Sequence, residues 1–400
     1  LNYTENNPGA IGGNHIASEE LDYTTPPRNL FENTHVMSVS AGAKAIAMTD
    51  NWAIVGADYK AFIFKNNNGI LDPSSVVVLE KPSAGDIGFG SSVDITDNWA
   101  IVGSPSPNGL KKAFIFKNTA GTWGTTPAFS LDQNTGNDPF GYSVAMTDNW
   151  AIVGAYGLAR AYIFKNTAGT WGTTAVTVLK GSDHFTNIAP DSGGFGVSVD
   201  ITDNWIIVGA QGIRKACFFK ITSGTWDTIA SFTFGSYWNP ADFGRRVAMT
   251  DNWAIVGAST AKQVYIFKNT AGTWAHDATL LDQNSGDTIF GYYVSISDNW
   301  AIVGTAWNGQ SQRTYIFKNT NNIWDISAVH FEEANTAMYG GIATTDNSAF
   351  ICNYGENTVN TYSLVQTDGA VAANDENLRT HTCMFKNCVY DYNGKDAPGG

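Results

Sequence analysis

Short apolar runs of four to six residues recur along the chain, separated by polar turns, and residues 140–180 show one full set. Ser143 to Thr147 alternates, ends on Asp148-Asn149, and is followed at once by the apolar run Trp150 to Val153. Asp-Asn between two such runs predicts a two-residue hairpin turn, because both residues tolerate the positive φ of a type I′ turn. Ala161 to Lys165 forms a third run, Asn166-Thr-Ala-Gly169 a glycine-bearing turn, and Trp171 to Leu179 a fourth run. The pattern predicts four antiparallel strands, here called A to D. The near-continuous apolarity of strands B and C requires a sheet covered on both faces.

This set repeats. Thr-Asp-Asn-Trp or a close variant places its Asp at Asp50, Asp97, Asp148, Asp203, Asp251, Asp298 and Asp346, with spacings of 47, 51, 55, 48, 47 and 48 residues. Seven units of this length with little helical periodicity predict an all-β, seven-bladed β-propeller of four-stranded antiparallel blades. The last unit has strands A (Gly341 to Thr345), B (Ala349 to Cys352) and C (Val359 to Leu364) but no following Trp. Leu21 to Ser40 precedes the first strand A as strand D does elsewhere, so an N-terminal strand is expected to complete the seventh blade and close the ring. The organisation expected is an N-terminal segment 1–40, a propeller 41–366 and a C-terminal tail 367–400.

Phe-Gly opens the units at Phe89, Phe140, Phe195, Phe243 and Phe290. Val-Gly-Ala ends strand B, as at Val153-Gly154-Ala155 and Val208-Gly209-Ala210, and Ala-Tyr-Ile-Phe or a variant follows. These motifs resemble the FG-GAP repeat, the propeller unit of integrin α-subunit heads and of many secreted or surface proteins. The variant with a Trp heading strand D (Trp123, Trp171, Trp226, Trp274, Trp324) is especially similar. The resemblance covers about residues 40–365 and implies a role in adhesion or ligand binding. The calcium loop of the integrin-type repeat, Asp-x-Asp-x-Asp-Gly, has no counterpart, because Asp-Asn turns too tightly to wrap a cation that takes six to eight oxygens. Gly42-Ala43 and Met338-Tyr339 stand where Phe-Gly is expected in the first and seventh units.

The A–B and C–D turns lie on one face of such a ring and are near copies. The B–C and D–A connections lie on the other and differ in sequence from blade to blade, and variable loops on a rigid scaffold are where recognition is built. The ligand face expected is therefore the B–C/D–A face, with Tyr59, Tyr156, Tyr237, Trp238 and Trp307 as aromatic anchors. Lys60, Lys112, Arg160, Lys215 and Arg313 enter strand C at equivalent positions, with Gln263 and Asn360 in the other two blades. They read either as a partial basic ring that seats an anionic group, such as a sulfated or carboxylated glycan, or as cations that each lie over their own blade and pair with a loop carboxylate. Strand C ends in Lys65, Lys117, Lys165, Lys220, Lys268 and Lys318, close to the Trp that starts strand B, which predicts a Lys over the indole, as at Trp52 or Trp150, or paired with the turn Asp, for the same local reason in each blade. The repeated Trp residues read as inter-blade packing, and Arg245-Arg246, standing where Tyr142-Ser143 and Tyr292-Tyr293 stand in sibling blades, is expected to reach toward the central channel.

Lys+Arg 23 against Asp+Glu 36 gives a net charge of −13, which argues against a duplex-DNA partner. No apolar run approaches the 20 or so residues of a membrane helix. The chain starts at Leu1 without a basic-then-apolar leader and reads as processed or trimmed. A composition poor in charge and rich in Asn, Thr, Gly and Trp points to an extracellular or cell-surface setting. Asp132 to Asp138 and Asp282 to Asp287 offer alternating oxygens to calcium, or form Asx-rich turns that satisfy their own backbone. No other cofactor is expected. The six His share no repeat position and no catalytic motif is present, so the chain is not expected to be an enzyme. Cys217 is expected to be a buried thiol, and Cys383 and Cys388 could close a short loop. The function expected is a non-catalytic propeller binding protein or glycan. The alternative is a structural subunit of an extracellular filament or sheath, in which the tail joins copies of the chain.

Overall fold

The computed structural model describes residues 33–38, 42–67, 69–106, 111–133, 139–185, 193–235, 241–282, 289–306, 312–328, 330–334, 339–353 and 358–364. All lie in the compact unit Phe31–Gly400. They form seven antiparallel sheets, six of them with their strands in chain order from A to D. Blade 3 is representative, with A at Ser143–Met146, B at Trp150–Ala155, C at Arg160–Thr167, and D in two pieces at Thr170–Trp171 and Thr177–Lys180. The expected strand D is thus interrupted. Blade 1, which has no Trp there, keeps a strand D of 11 residues, Ile70–Glu80. In blade 7 the strands Tyr339–Thr344, Ser348–Asn353 and Thr358–Ser363 are joined by Asn33–Ser38, which pairs antiparallel with Thr358–Ser363. The ring is closed by an N-terminal strand.

The hydrophobic core is seven cores, one in each gap between consecutive blades, the last joining blade 7 to blade 1. Alternation along strand B feeds two gaps at once. In blade 3, Ile152 packs against blade 4, whereas Ala151 and Val153 pack against blade 2. This is why strand B reads as one continuous apolar run. Trp52–Trp123, Trp99–Trp171, Trp150–Trp226, Trp205–Trp274 and Trp253–Trp324 form T-shaped pairs at 5.5–5.9 Å, each joining strand B of one blade to strand D of the next. Lysines stand over five of the strand B indoles at 5.2–5.5 Å, Lys165 over Trp150 being the tightest.

The two turns exchange roles relative to the sequence expectation. No Asp or Asn of the seven A–B turns has positive φ. Instead the Thr147 hydroxyl accepts the backbone N–H groups of Asn149 and Trp150, both at 3.1 Å, so the turn closes on a side chain. The left-handed pair occurs in the C–D turn, at Ala168 (φ 51°) and Gly169 (φ 86°). The Asp left over from turn formation clasps the neighbouring blade: Asp148 accepts from Thr96 Oγ1 at 2.5 Å and Asn98 Nδ2 at 2.6 Å. The same clasp recurs at Asp97, Asp203, Asp251 and Asp298, and Asn347 of blade 7 reaches Asp50 of blade 1.

The Phe-Gly and Val-Gly motifs meet across the same gaps. Gly141 sits at φ 90°, where a Cβ would run into the carbonyl oxygen of Lys112 in the preceding blade, and a Cβ on Gly103 would run into the carbonyl of Gly141. Backbone lies on backbone there, and only glycine permits it. Among the described residues no helix is long and apolar enough to cross a membrane. The tail beyond Leu364, with Cys383 and Cys388, lies outside the described residues.

Candidate functional site: the mouth of the central channel

Strand A lines the axis of the ring, and three successive positions along it have separate jobs. The second position holds Ile46, Val93, Val144, Val199, Val247, Val294 and Ile342, one β-branched side chain per blade. The first holds Ala45, Ser92, Ser143, Ser198, Arg246, Tyr293 and Gly341. The mostly small first position leaves a cavity of about 710 Å³ that opens where strand A begins, on the B–C/D–A face, and is floored by the β-branched ring. Lys44, Lys111, Tyr142, Tyr156, Arg246 and Tyr293 stand around it. No carboxylate lines it among the described residues.

The walls are braced blade to blade. Ser92 Oγ donates to Gly141 O and Ser143 Oγ to Gly196 O, each at 2.9 Å. Tyr142 and Tyr156 meet edge to face at 4.5 Å, with about a third of each exposed. Arg245 is held by Tyr292, whose ring lies 4.4 Å away and whose hydroxyl accepts at 2.9 Å, by Gln211 Oε1 at 3.3 Å and by Asp242 at 3.7 Å. Arg246 donates one Nη1 bond to Arg245 O at 3.2 Å and lies along the Tyr292 ring at 5.9 Å. Burial pushes the Tyr293 hydroxyl up to about 12, with Arg246 and Arg245 pulling the other way.

Below the β-branched ring the third strand A position alternates: Ala47, Asp94, Ala145, Asp200, Ala248, Ser295, Ala343. Asp94 Oδ2 accepts Met146 N at 2.6 Å, Asp200 Oδ2 accepts Met249 N at 2.7 Å, and Ser295 Oγ accepts Thr344 N at 3.1 Å. Blades 2, 4 and 6 thereby each grip the following blade. Burial, then the charge of Asp200, pushes Asp94 up to about 7, and burial pushes Asp200 up to about 6.

The residues predicted from sequence are spread more widely. Of the ten, Tyr156 lines the cavity. Tyr59 is exposed, with Lys81 over its ring at 5.0 Å, and Lys60 pairs with Glu80 at 2.6 Å. Lys112 lies beside Ser104 in the strand B–C register, Arg160 Nη1 donates to Tyr162 Oη at 3.4 Å, and Lys215 lies over Phe185 at 4.8 Å. Arg313 is partly buried in strand C of blade 6, its N–H on Thr305 Oγ1 at 2.9 Å. Strand C is two strands out from the axis, so these cations are set around the ring rather than gathered in the mouth. Tyr237, Trp238 and Trp307 lie outside the described residues, as do the oxygen-rich stretches 134–138 and 283–288. The B–C connections of blades 3, 4 and 5 differ in sequence yet share one backbone, a 3₁₀ turn ending on a left-handed residue, at Tyr156–Leu158, Gln211–Ile213 and Ser259–Ala261.

Arg246 was legible as an odd residue within its repeat, and it does reach the channel. Asp94 and Asp200 carried the same signal, carboxylates where sibling blades have Ala. Lys44 and Lys111 carried none, since the positions they occupy vary in residue type from blade to blade.

Residues 131–166 match the FG-GAP repeat family, and the motifs of that segment recur in the other blades. The β-propeller domain of Cps50 (Swd1) from Myceliophteria thermophila superposes with a TM-score of 0.56 at 11% identity, covering 84% of this chain and 100% of that one. Kluyveromyces lactis Hsv2 superposes with a TM-score of 0.56 at 10% identity, covering 82% and 95%. At these identities the likeness is one of fold. No curated protein sequence matches the chain.

Proposed function

The fold is a seven-bladed propeller with FG-GAP repeats, and we propose that it is a non-catalytic binding domain of adhesion type, acting outside the cell or at its surface. Its ligand, a protein or a glycan, is taken at the B–C/D–A face around the channel mouth. The observation that carries this reading is the cavity itself: on this face a ring of small strand A residues leaves about 710 Å³, a volume in the usual range for ligand pockets, walled by tyrosines and cations. The opposite face spends its polar side chains on inter-blade clasps, Asp148 and its siblings being satisfied by their neighbours. By sequence, Trp238 and Trp307 fall in connections of that same face.

The test is a glycan array and an extracellular-protein panel probed with the full chain and with Tyr156→Ala and Trp238→Ala/Trp307→Ala variants. Ligands whose capture falls at least about tenfold in the variants place recognition on this face. Ligands captured equally by all three proteins remove it.

A further inference from the structure

The mouth contains a feature that general stickiness does not require: adjacent arginines with different fates. Arg245 is consumed by Asp242, Gln211 and Tyr292, whereas Arg246 lines the cavity and has no acidic partner among the described residues. A guanidinium carries five N–H donors in a planar fork, and the bond to Arg245 O uses one. Lys44 and Lys111 stand at other points of the same wall, Lys44 paired with Asp58 outside it. On a chain of net charge −13 the mouth thus collects cations, and the carboxylates nearest it in the sequence of strand A, Asp94 and Asp200, lie past the β-branched ring.

The remaining surfaces fit a sugar better than a peptide. Ser92 and Ser143 spend their hydroxyl hydrogens on backbone carbonyls, which leaves their oxygens as acceptors facing a cavity, and a polyol brings the donors. Tyr142 and Tyr156 offer exposed aromatic surface, and the floor of Ile46, Val93, Val144, Val199, Val294 and Ile342 is apolar, which matches the C–H face of a pyranose. We infer that the channel mouth seats an acidic sugar unit, a carboxylated or sulfated residue of a glycan, with its anionic group on the Arg246 fork. This rests on the reading of the B–C/D–A face as the ligand face.

Calorimetric titration of the full chain tests it with four probes: a glucuronate-containing tetrasaccharide, the same tetrasaccharide with its carboxyl groups reduced to alcohols, a sulfated tetrasaccharide, and a tetraglutamate peptide. Expected is binding of one of the acidic oligosaccharides at least about tenfold tighter than the reduced form, weakening as salt rises from about 50 to about 300 mM. Arg246→Gln should remove that preference while leaving the melting temperature and the weak neutral binding in place, and Arg246→Lys should restore part of it. Equal binding of acidic and reduced forms, an Arg246→Gln variant that keeps the preference, or tighter binding of tetraglutamate each overturns the inference. So does failure of both acidic oligosaccharides to bind. If a neutral glycan or a protein still depends on Tyr156, only the acidic-sugar inference falls; if nothing depends on this face, the underlying reading falls with it.

Discussion

Asp94 and Asp200 show how one residue type can be held against its own preference. Each carboxylate accepts two backbone N–H groups, its own following residue's and one from the next blade, and those bonds favour the charged form. Burial outweighs them, and each group's pKa stays above the usual carboxylate range. Unfolded, both titrate near 3.9. Between about pH 4 and pH 7 the folded chain therefore holds protons that the unfolded chain has released, so the stability is full below about 4 and is lost as pH rises through about 6 for Asp200 and about 7 for Asp94. Ser295 makes the same inter-blade bond without a titrating group, and it supplies the control substitution. The Asp94→Ser/Asp200→Ser variant should keep the bond, lose the pH dependence and be the more stable protein at about pH 8, as read from urea midpoints at about pH 5 and about pH 8. His184, whose pKa burial lowers, acts in the opposite sense in acid and is common to both proteins, so the difference between them isolates the two carboxylates. A variant that keeps the wild-type slope rules this account out.

At the scale of elements, the fifty-residue period and the strand pattern were enough to place all seven blades, because each blade repeats the same solution to packing against two neighbours. The turn chemistry was less legible. Asp-Asn suggests a left-handed turn when read alone, but a preceding Thr hydroxyl closes the turn at negative φ and frees the Asp for the next blade. Blade 7 departs most from the repeat. Its strand B begins with Ser348 where a Trp stands in the other six, and its strand D is the N-terminal strand, so neither the blade 6–7 nor the blade 7–1 gap has the indole pair of the other five. Trp300 instead donates from Nε1 to Asp346 O at 3.2 Å. An aromatic pair adds about 0.5–1.5 kcal/mol beyond its buried area. Native-state hydrogen exchange should therefore show the amides of Phe350 and Ile351 opening at lower free energy than those of Ile207 and Val208, their counterparts in blade 4. Equal protection in the two blades would place the extra stability elsewhere.

At the scale of the whole molecule, the site is less legible than the fold because it is made by subtraction. The mouth exists since seven first positions of strand A, far apart in sequence, are mostly small, and no single blade announces that. Closure has a comparable logic, since the ring is complete only when Asn33–Ser38 lies along Thr358–Ser363, more than three hundred residues later in the chain. Removing residues 1–40 strips that pairing and leaves the outer edge of strand C in blade 7 open, and an unpaired edge is a template for association between copies. A chain of residues 41–400 should accordingly melt earlier than the full chain and form large species in light scattering. A synthetic peptide of residues 31–40 added in trans should reverse both effects in a dose-dependent way, because it can occupy the same edge, while a scrambled peptide should not. A truncated chain that stays monomeric and melts with the full-length profile would mean that the inter-blade clasps and cores hold the ring without its closing strand.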